Sequence, residues 1–189
     1  MNRRGCRVVS VDPLYRLGAE QIEDRIAEIY DEIMEQMLRN KEDYVWAEIG
    51  SPEQLGRIRM AVMREFLEDY EWGKDEGRYL PESLPSLSFD DKQFDLAVCS
   101  HFLFLYTAQL SLDFHRESVA EMVRVAKEVR IFPLLDLGGT PSPYVGTIAS
   151  EFEDRNYRVT VETVPYEFQR GSNKMMKIWR DDETSNRAL

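Results

Sequence analysis

The sequence contains few cysteines and histidines and no long apolar run. Its two cysteines, Cys6 and Cys99, are too few for a disulfide framework or a cysteine-based zinc site, and both lie in apolar runs that predict buried, reduced thiols. Two histidines exclude a histidine-rich metal site, and no carboxylate spacing indicates a calcium loop, so we expect no metal. No apolar run approaches the roughly 20 residues that span a bilayer. The run at 8–11 is too short for a signal peptide, so the sequence predicts a cytoplasmic protein with no membrane partner.

Basic residues are also scarce relative to acidic ones. The formal net charge is −11, from 24 Lys and Arg against 35 Asp and Glu. Residues 20–77 hold 17 of the acidic and 7 of the basic residues, a net of −10. Because nucleic acids and anionic membranes are bound by clustered basic residues, we expect neither as a partner. We interpret the acidic segment as two solvated helix faces, and a lid that attracts a cationic substrate is the alternative.

The rest of the composition is typical of one globular domain. Apolar residues make up 43% and charged residues 31% of the 189 residues, which is enough for a sizeable core. We expect a single domain over 1–180 and a polar tail over 181–189. Apolar residues at steps of three and four over 19–41 predict one helix, and the capping box Ser51-Pro52-Glu53-Gln54 begins a second. Together they predict a two-helix insertion over about 19–73.

Strands alternate with helices along the remaining chain. Buried apolar strands are predicted at 7–12 and 94–100, a weaker strand at 78–80, and further strands at 129–135, 157–164 and 174–180. Helices are predicted over 113–128 and from the dipeptide Ser142-Pro143 onward. This alternation predicts an α/β fold with a mostly parallel sheet. Since no helix separates the last two strands, we expect them to form an antiparallel C-terminal hairpin.

Side chains that follow the strands are the candidate functional residues, because ligands of such sheets bind beyond the carboxyl ends of the strands. Asp12 follows the first strand and has the oxygens to accept two hydrogen bonds from a ribose diol; an Asp-Pro turn is the other interpretation. His101 follows Ser100 and the third strand. It is either a general base or a histidine packed under the apolar run 102–106. We interpret His115 as a surface residue.

The connection 166–171 between the last two strands mixes aromatic, acidic, amide and basic side chains. It either overhangs a pocket or is a plain hairpin loop with Gly171 in a left-handed conformation. Met175, Met176 and Trp179 in the following strand are predicted core residues.

Two stretches of the sequence resemble the class I S-adenosylmethionine-dependent methyltransferases. They are Val9-Ser-Val-Asp12 and Leu84-Pro-Ser-Leu-Ser-Phe89-Asp-Asp-Lys-Gln-Phe94-Asp-Leu-Ala-Val98. In that family a Leu-Pro-Phe-like segment is followed by Asp, a turn and a Phe-Asp-apolar-Val strand, and the final strand is antiparallel. The similarity covers about 7–180 apart from the helical insertion. It implies a Rossmann-like sheet and S-adenosylmethionine as the cofactor.

By position, the resemblance assigns five residues to the cofactor and the substrate. Asp12 would bind the ribose hydroxyls, and Ser83 and Leu84 would lie beside the adenine. Ser100 and His101 would face the methionine part or the substrate, which places Asp12 and Ser100 on one cleft. His101 is the candidate catalytic base where the methyl acceptor must lose a proton.

One part of the family's pattern is absent. The glycine-rich loop G-x-G-x-G that follows the family's first strand does not occur, and the sequence begins where the second strand is expected. The family's first strand is the central one of its sheet. Without it, the strands predicted at 7–12 and 94–100, which correspond to the family's second and fourth strands, would each expose an unpaired edge. Three interpretations remain open: the chain is truncated or its start is misassigned, it completes its sheet with a partner strand or by swapping, or it is a degenerate relative that no longer binds the cofactor.

The resemblance predicts methyl transfer from S-adenosylmethionine to a small molecule or a protein, a displacement in which the enzyme mainly aligns donor and acceptor. Because the glycine-rich loop is missing, we expect the chain by itself to be inactive. The alternative is a non-catalytic α/β interaction module that pairs with a partner strand, and the unpaired edges predict self-association into a homo-oligomer. An NAD-binding Rossmann domain is a third interpretation, but it requires a helix between the last two strands.

Overall fold

The computed structural model describes residues 5–181, so residues 182–189 of the predicted tail lie outside the described residues. The chain divides between Ser83 and Leu84 into two compact units. The first unit holds the predicted helix pair, and the second holds the larger of two sheets. No helix within the described range combines the length and the apolar character needed to cross a membrane.

The first unit consists of two short parallel strands and the helices between them. The strands are β1 (Ser10–Val11) and β2 (Tyr79–Leu80), with Ser10 paired to Tyr79. The helices are α1 (Ala19–Arg39) and α2 (Pro52–Asp75). The strand predicted over 7–12 is therefore shorter than expected. It is half-buried rather than buried, because a two-stranded sheet offers few neighbours that cover its faces.

The two helices are antiparallel and pack closely. The Tyr70 hydroxyl near the end of α2 donates to the carbonyl of Leu17, just before α1, at 2.9 Å. Nearer the loop between the helices, a Cβ added to Gly56 would lie 2.6 Å from the Tyr30 hydroxyl oxygen. The missing side chain at Gly56 therefore lets α2 approach α1. The predicted helix pair is confirmed.

Helix α2 begins where the capping box predicts. Pro52 is its first residue, and the Ser51 hydroxyl accepts from the backbone N–H of Gln54 at 3.2 Å. The Gln54 side chain accepts from the Arg57 guanidinium rather than completing the reciprocal bond of the box.

The second unit is a four-stranded mixed sheet with two helices. Its strands, in the order β3-β4-β6-β5, are β3 (Phe94–Ser100), β4 (Ala126–Phe132), β5 (Arg158–Thr163) and β6 (Lys174–Trp179). The helices are α3 (Leu112–Val125) and α4 (Tyr144–Asp154). Strands β3 and β4 are parallel, whereas β6 runs antiparallel to both β4 and β5. The predicted α/β class and the antiparallel final pair are confirmed, and the sheet is mixed rather than mostly parallel.

Both helices of the second unit cover the same face of its sheet. Apolar side chains of α3 and α4 pack there against inward-facing residues of the strands: Val119, Met122, Ile148 and Phe152 against Cys99, Val129, Ile131, Met176 and Ile178. On the other face, Leu96 and Val98 of β3 are 43% and 62% exposed. The prediction that β3 is buried on both faces is therefore wrong, because the helices that follow it lie on one side only.

Helix α3 and strand β4 meet without a loop. The helix ends at Val125 and the strand begins at Ala126, before the predicted strand start at 129. The strand ends at Phe132, and Pro133 follows. Proline has no N–H to donate to a ladder, so the regular strand stops before it.

The two cysteines differ in exposure. Cys99 is buried in β3, as predicted, whereas Cys6 is exposed, so the prediction of a buried thiol at Cys6 is wrong. The apolar run after Cys6 is short, and only Ser10–Val11 within it pair as a strand, which leaves the preceding residues uncovered.

Candidate functional site

The parallel strands β3 and β4 end side by side, with Ser100 paired to Phe132. Ser100 and the following His101 are both exposed, and the Ser100 Oγ lies 2.8 Å from the His101 Nδ1. The backbone N–H of His101 donates to the backbone carbonyl of Phe132 at 2.7 Å. His101 has a φ of 57°, a left-handed conformation in which a residue with a Cβ is strained. The end of β3 therefore presents a hydroxyl and an imidazole in one fixed turn.

Aromatic side chains surround this pair. The His101 ring meets the Phe132 ring edge-on, with centroids 5.5 Å apart, and the Tyr166 ring meets Phe132 at 5.9 Å. Phe102 and Tyr106, which follow His101, are also exposed, with ring centroids 6.2 Å apart. The interpretation that His101 is packed under 102–106 is wrong, since the residue is exposed and its ring contacts Phe132. Exposed aromatic faces next to polar groups favour binding of a planar or apolar ligand.

The connection between β5 and β6 is both an ordered loop and a neighbour of the site. The Glu167 carboxylate accepts from the Gly171 N–H at 2.8 Å and from the Asn173 side-chain amide at 2.9 Å. Gly171 is left-handed, with a φ of 78°, as the hairpin-loop interpretation expects. The ordered loop also brings Tyr166 to Phe132 at the end of β4. The hairpin-loop interpretation of the connection is therefore confirmed, whereas an overhang above a pocket stays a prediction.

In the first unit, Asp12 and Ser83 follow the parallel strands β1 and β2 at the same edge of their sheet. The Asp12 N–H donates to the Leu80 carbonyl at 3.2 Å. The Asp12 Oδ1 accepts from the Leu14 N–H at 2.8 Å and caps the 3-10 helix Pro13–Arg16. The turn-forming interpretation of Asp12 is thus confirmed. The side chain remains exposed, and a carboxylate accepts further hydrogen bonds, so ribose binding stays a prediction.

Ser83 and Leu84 occupy different environments at the division between the units. Ser83 is exposed at the end of the first unit. Leu84 begins the second unit and packs, half-buried, against its core. Their placement beside an adenine stays a prediction, and for Leu84 only part of the side chain is accessible to a ligand.

An ion pair on α3 fixes the segment that leads into β3. The Arg124 guanidinium donates to the Phe89 carbonyl at 2.8 Å and to the Glu121 carboxylate at 2.8 Å. Glu121 in turn accepts from the Leu87 N–H at 2.7 Å. The Arg124 hydrogen bond lowers the pKa of the Glu121 carboxyl, so the pair stays charged near neutral pH. The stretch that resembles the methyltransferases is therefore held by side chains of α3.

His115 is buried, so its interpretation as a surface residue is wrong. Its Nδ1 lies 2.8 Å from the Ser111 carbonyl oxygen, and its Nε2 lies 3.1 Å from the Leu103 carbonyl oxygen. Its ring also contacts Tyr144 edge-on, with centroids 5.0 Å apart. The burial of His115 could have been predicted from the sequence. His115 precedes the buried Val119 by four residues, so both side chains lie on the inward face of α3.

Strand order and site residues together define a mixed α/β protein with a candidate ligand site at its strand ends. The chain is 33% identical over 181 residues to the uncharacterized protein MJ0045 of Methanocaldococcus jannaschii, a match that covers 95% of this chain and 78% of the archaeal protein. The chain belongs to the family of that protein. No protein-family profile matches the chain, and no solved structure matches it significantly.

Proposed function

We propose that this protein binds S-adenosylmethionine and belongs among the methyltransferase-like proteins. The observation that carries the proposal is β6, which lies antiparallel between β4 and β5 in a unit whose parallel strand β3 ends in exposed Ser100 and His101. An antiparallel final strand is what the resemblance implies and what an NAD-binding Rossmann domain usually lacks. The connection between β5 and β6 contains no helix, which also disfavours the NAD-binding alternative.

Within each unit taken by itself, the residues at the strand ends fit this cofactor in chemistry. Asp12 offers an exposed carboxylate for ribose hydroxyls, and its capping bond to Leu14 holds it in place. Ser100 offers a hydroxyl at the end of β3, next to the exposed aromatic rings that would pack against the ligand. When bound, S-adenosylmethionine supplies a methyl group on a positively charged sulfur. The glycine-rich loop of the family remains absent from the sequence, so the proposal concerns binding first and catalysis second.

His101 is the residue that we assign to proton transfer. Its contact with the Ser100 Oγ at 2.8 Å and its ring contact with Phe132 hold the imidazole in one orientation. A histidine at that position would accept a proton from a small-molecule or protein acceptor that must lose one. For an acceptor that needs no deprotonation, the pair would only orient the ligand.

Isothermal titration calorimetry of the full chain with S-adenosylmethionine and S-adenosylhomocysteine tests the binding proposal. We expect a dissociation constant in the micromolar range. Asp12→Asn keeps a side chain that caps helices well but removes the charge, and we expect it to weaken binding by about 1–3 kcal/mol. Asp24→Asn, an exposed change on α1, is the matched control and should bind as the unmodified chain does. No heat at millimolar ligand would remove the proposal.

The exposed face of β3 favours a second candidate function, an interaction module that pairs with a second copy of the chain. Within the described residues, β3 is the terminal strand of its sheet. Antiparallel self-pairing centred on Ala97 would place Leu96 opposite Val98 and Asp95 opposite Cys99, so no like charges would face each other. Sedimentation equilibrium distinguishes the two functions. A dimer that Val98→Lys dissociates supports self-pairing, and a monomeric chain contradicts it.

A further inference from the structure

We propose that the acidic helix pair of the first unit is a docking surface for a basic amphipathic helix of a partner protein. The surface, called here the hairpin face, consists of Ile26, Ile29, Ile33, Ile58 and Val62. Ile29, Ile58 and Val62 are 46%, 42% and 52% exposed, although their spacing is that of the apolar stripe that a helix normally buries. This inference is independent of any cofactor.

The apolar side chains of α1 and α2 lie on the same side of the helix pair. Tyr30 and Gly56 mark the contact between the two helices. Successive side chains of an α-helix are turned by about 100° around the helix axis. Ile29, one residue before Tyr30, is therefore turned about 100° backward from the direction of Tyr30. Val62, six residues after Gly56, falls short of two full turns by nearly the same angle, so it is turned backward from the direction of Gly56 in the same sense. Because the helices are antiparallel, equal rotations from the contact bring both side chains to one side. The hairpin face therefore forms a strip on one side of the helix pair.

The apolar side chains that flank the hairpin face at its two ends are covered within the first unit. Ile22 at the start of α1 and Leu55 at the start of α2 are buried, and Phe66 packs against Tyr70 with ring centroids 5.1 Å apart. The middle of the strip, around Ile29 and Val62, is the exposed part. A groove between two helices with exposed apolar residues at this spacing is the surface on which an amphipathic helix docks.

Charge decides which kind of helix fits. Glu32 and Glu65 are exposed and follow Ile29 and Val62 by three residues each, so they are their neighbours on the helix surface. Arg25 and Arg59 are basic neighbours of Ile29 and Val62. The Arg25 guanidinium lies 3.6 Å from the Glu28 carboxylate and is offset by it, and Arg59 is outnumbered in a segment, 20–77, that holds 17 acidic and 7 basic residues. Residues 20–77 carry a net charge of −10, so a second copy or an acidic partner would be repelled. A helix with an apolar stripe flanked by Lys or Arg would contact the apolar strip and, at the same time, complement the charge of the acidic residues beside it.

Fluorescence anisotropy with designed peptides tests the proposal on the full chain. The probe is a labelled 18-residue helix with Leu at positions i, i+3, i+4 and i+7 and Lys elsewhere, on the order of five turns long. One control peptide replaces Lys by Glu, and another scrambles the Leu and Lys positions. We expect micromolar binding of the probe and at least tenfold weaker binding of both controls.

Variants of the chain locate the binding surface. Ile29→Ser with Val62→Ser should weaken binding at least tenfold, whereas the matched change of two exposed residues elsewhere, Leu137→Ser with Val161→Ser, should leave it unchanged. Glu32→Gln with Glu65→Gln, which leaves the apolar strip intact, should weaken binding severalfold and reduce its salt dependence. Circular dichroism checks that each variant is folded.

Three results would overturn the proposal. The first is equal binding of the probe to the chain and to the Ile29→Ser/Val62→Ser variant, and the second is equal binding of the scrambled peptide. The third is a dimer of the chain that this double variant dissociates, since the strip would then be occupied by a second copy. If the double variant does not fold, unchanged binding by the Glu32→Gln/Glu65→Gln variant overturns the assigned charge preference.

Discussion

The Oγ of Ser100 and the Nδ1 of His101 are 2.8 Å apart at the point where the backbone leaves β3. His101 reaches this position with a φ of 57°, and its N–H donates to the Phe132 carbonyl at 2.7 Å. A left-handed residue with a Cβ carries about 1–2 kcal/mol of strain, which the surrounding contacts must offset. The strained turn directs the imidazole to the end of the sheet rather than into the core.

The left-handed backbone at His101 predicts an unusual order of stabilities. We expect His101→Gly to resist urea better than His101→Ala by about 1 kcal/mol, with His101→Val the least stable, because β-branched side chains fit this conformation worst. The same series at Thr160 in β5 is the control, and there the order should reverse, since extended backbone favours valine. Equal stabilities of the glycine and alanine variants at His101 would contradict the left-handed turn.

The burial of His115 predicts a large loss of stability when its ring is removed. His115→Ala leaves a cavity and deprives the Ser111 and Leu103 carbonyl oxygens of their ring partners, so we expect a loss of about 2–4 kcal/mol in urea unfolding. His101→Asn, a change at the other histidine, should cost less than about 1 kcal/mol because that ring is exposed. A loss below about 1 kcal/mol in His115→Ala would contradict the buried environment.

Local patterns in the sequence were enough to predict the α-helices and strands of the fold, but not short 3-10 helices such as Pro13–Arg16. The bounds of β3 follow from one apolar run that ends at Ser100, and α1 follows from apolar residues at helical spacing. The open face of β3 was not predictable in this way. An apolar run has the same sequence pattern whether both faces of the strand are buried or only one. Which face of β3 is buried depends on the side of the sheet on which α3 and α4 pack.

The candidate site was predictable in position but not in detail. The rule that ligands bind at the carboxyl ends of strands selects Asp12, Ser100 and His101 from the sequence. The approach of Tyr166 to Phe132 depends on the place of β6 between β4 and β5, which no local pattern encodes. The buried state of His115 was encoded in helical spacing, but its place in the first turn of the predicted helix suggested a surface residue.

The Glu121–Arg124 pair predicts a pH-dependent contribution to stability. Because Arg124 donates to the Glu121 carboxylate, the pKa of Glu121 in the folded chain lies below its ordinary value of 4.5. The stabilisation of the folded chain by this ion pair is therefore fully present above the pKa that Glu121 has in the unfolded chain. It is lost as the pH falls through the lower pKa that Glu121 has in the folded chain. A double-mutant cycle of Glu121→Gln and Arg124→Met should give a coupling energy of about 1 kcal/mol at pH 7 that disappears in acid. A coupling energy that stays constant down to pH 2 would contradict this pair.

The different environments of Cys6 and Cys99 predict selective alkylation. Cys6 is exposed, whereas Cys99 is buried in β3, where burial raises the pKa of its thiol and leaves less of the reactive thiolate. In the folded chain we expect iodoacetamide to add one carbamidomethyl group rapidly at Cys6, and to react with Cys99 roughly a hundredfold more slowly, at the rate of transient opening. Intact-mass spectrometry over time measures both rates.

Two controls make the alkylation result specific. Cys6→Ser should remove the rapid reaction without changing the urea midpoint, because an exposed side chain before β1 contributes little to packing. In urea above the unfolding midpoint, both thiols should react at similar rates, since the burial that protects Cys99 is then lost. Rapid labelling of Cys99 in the folded chain would show that β3 is open on the face that α3 and α4 cover, and the packing of the second unit would have to be revised.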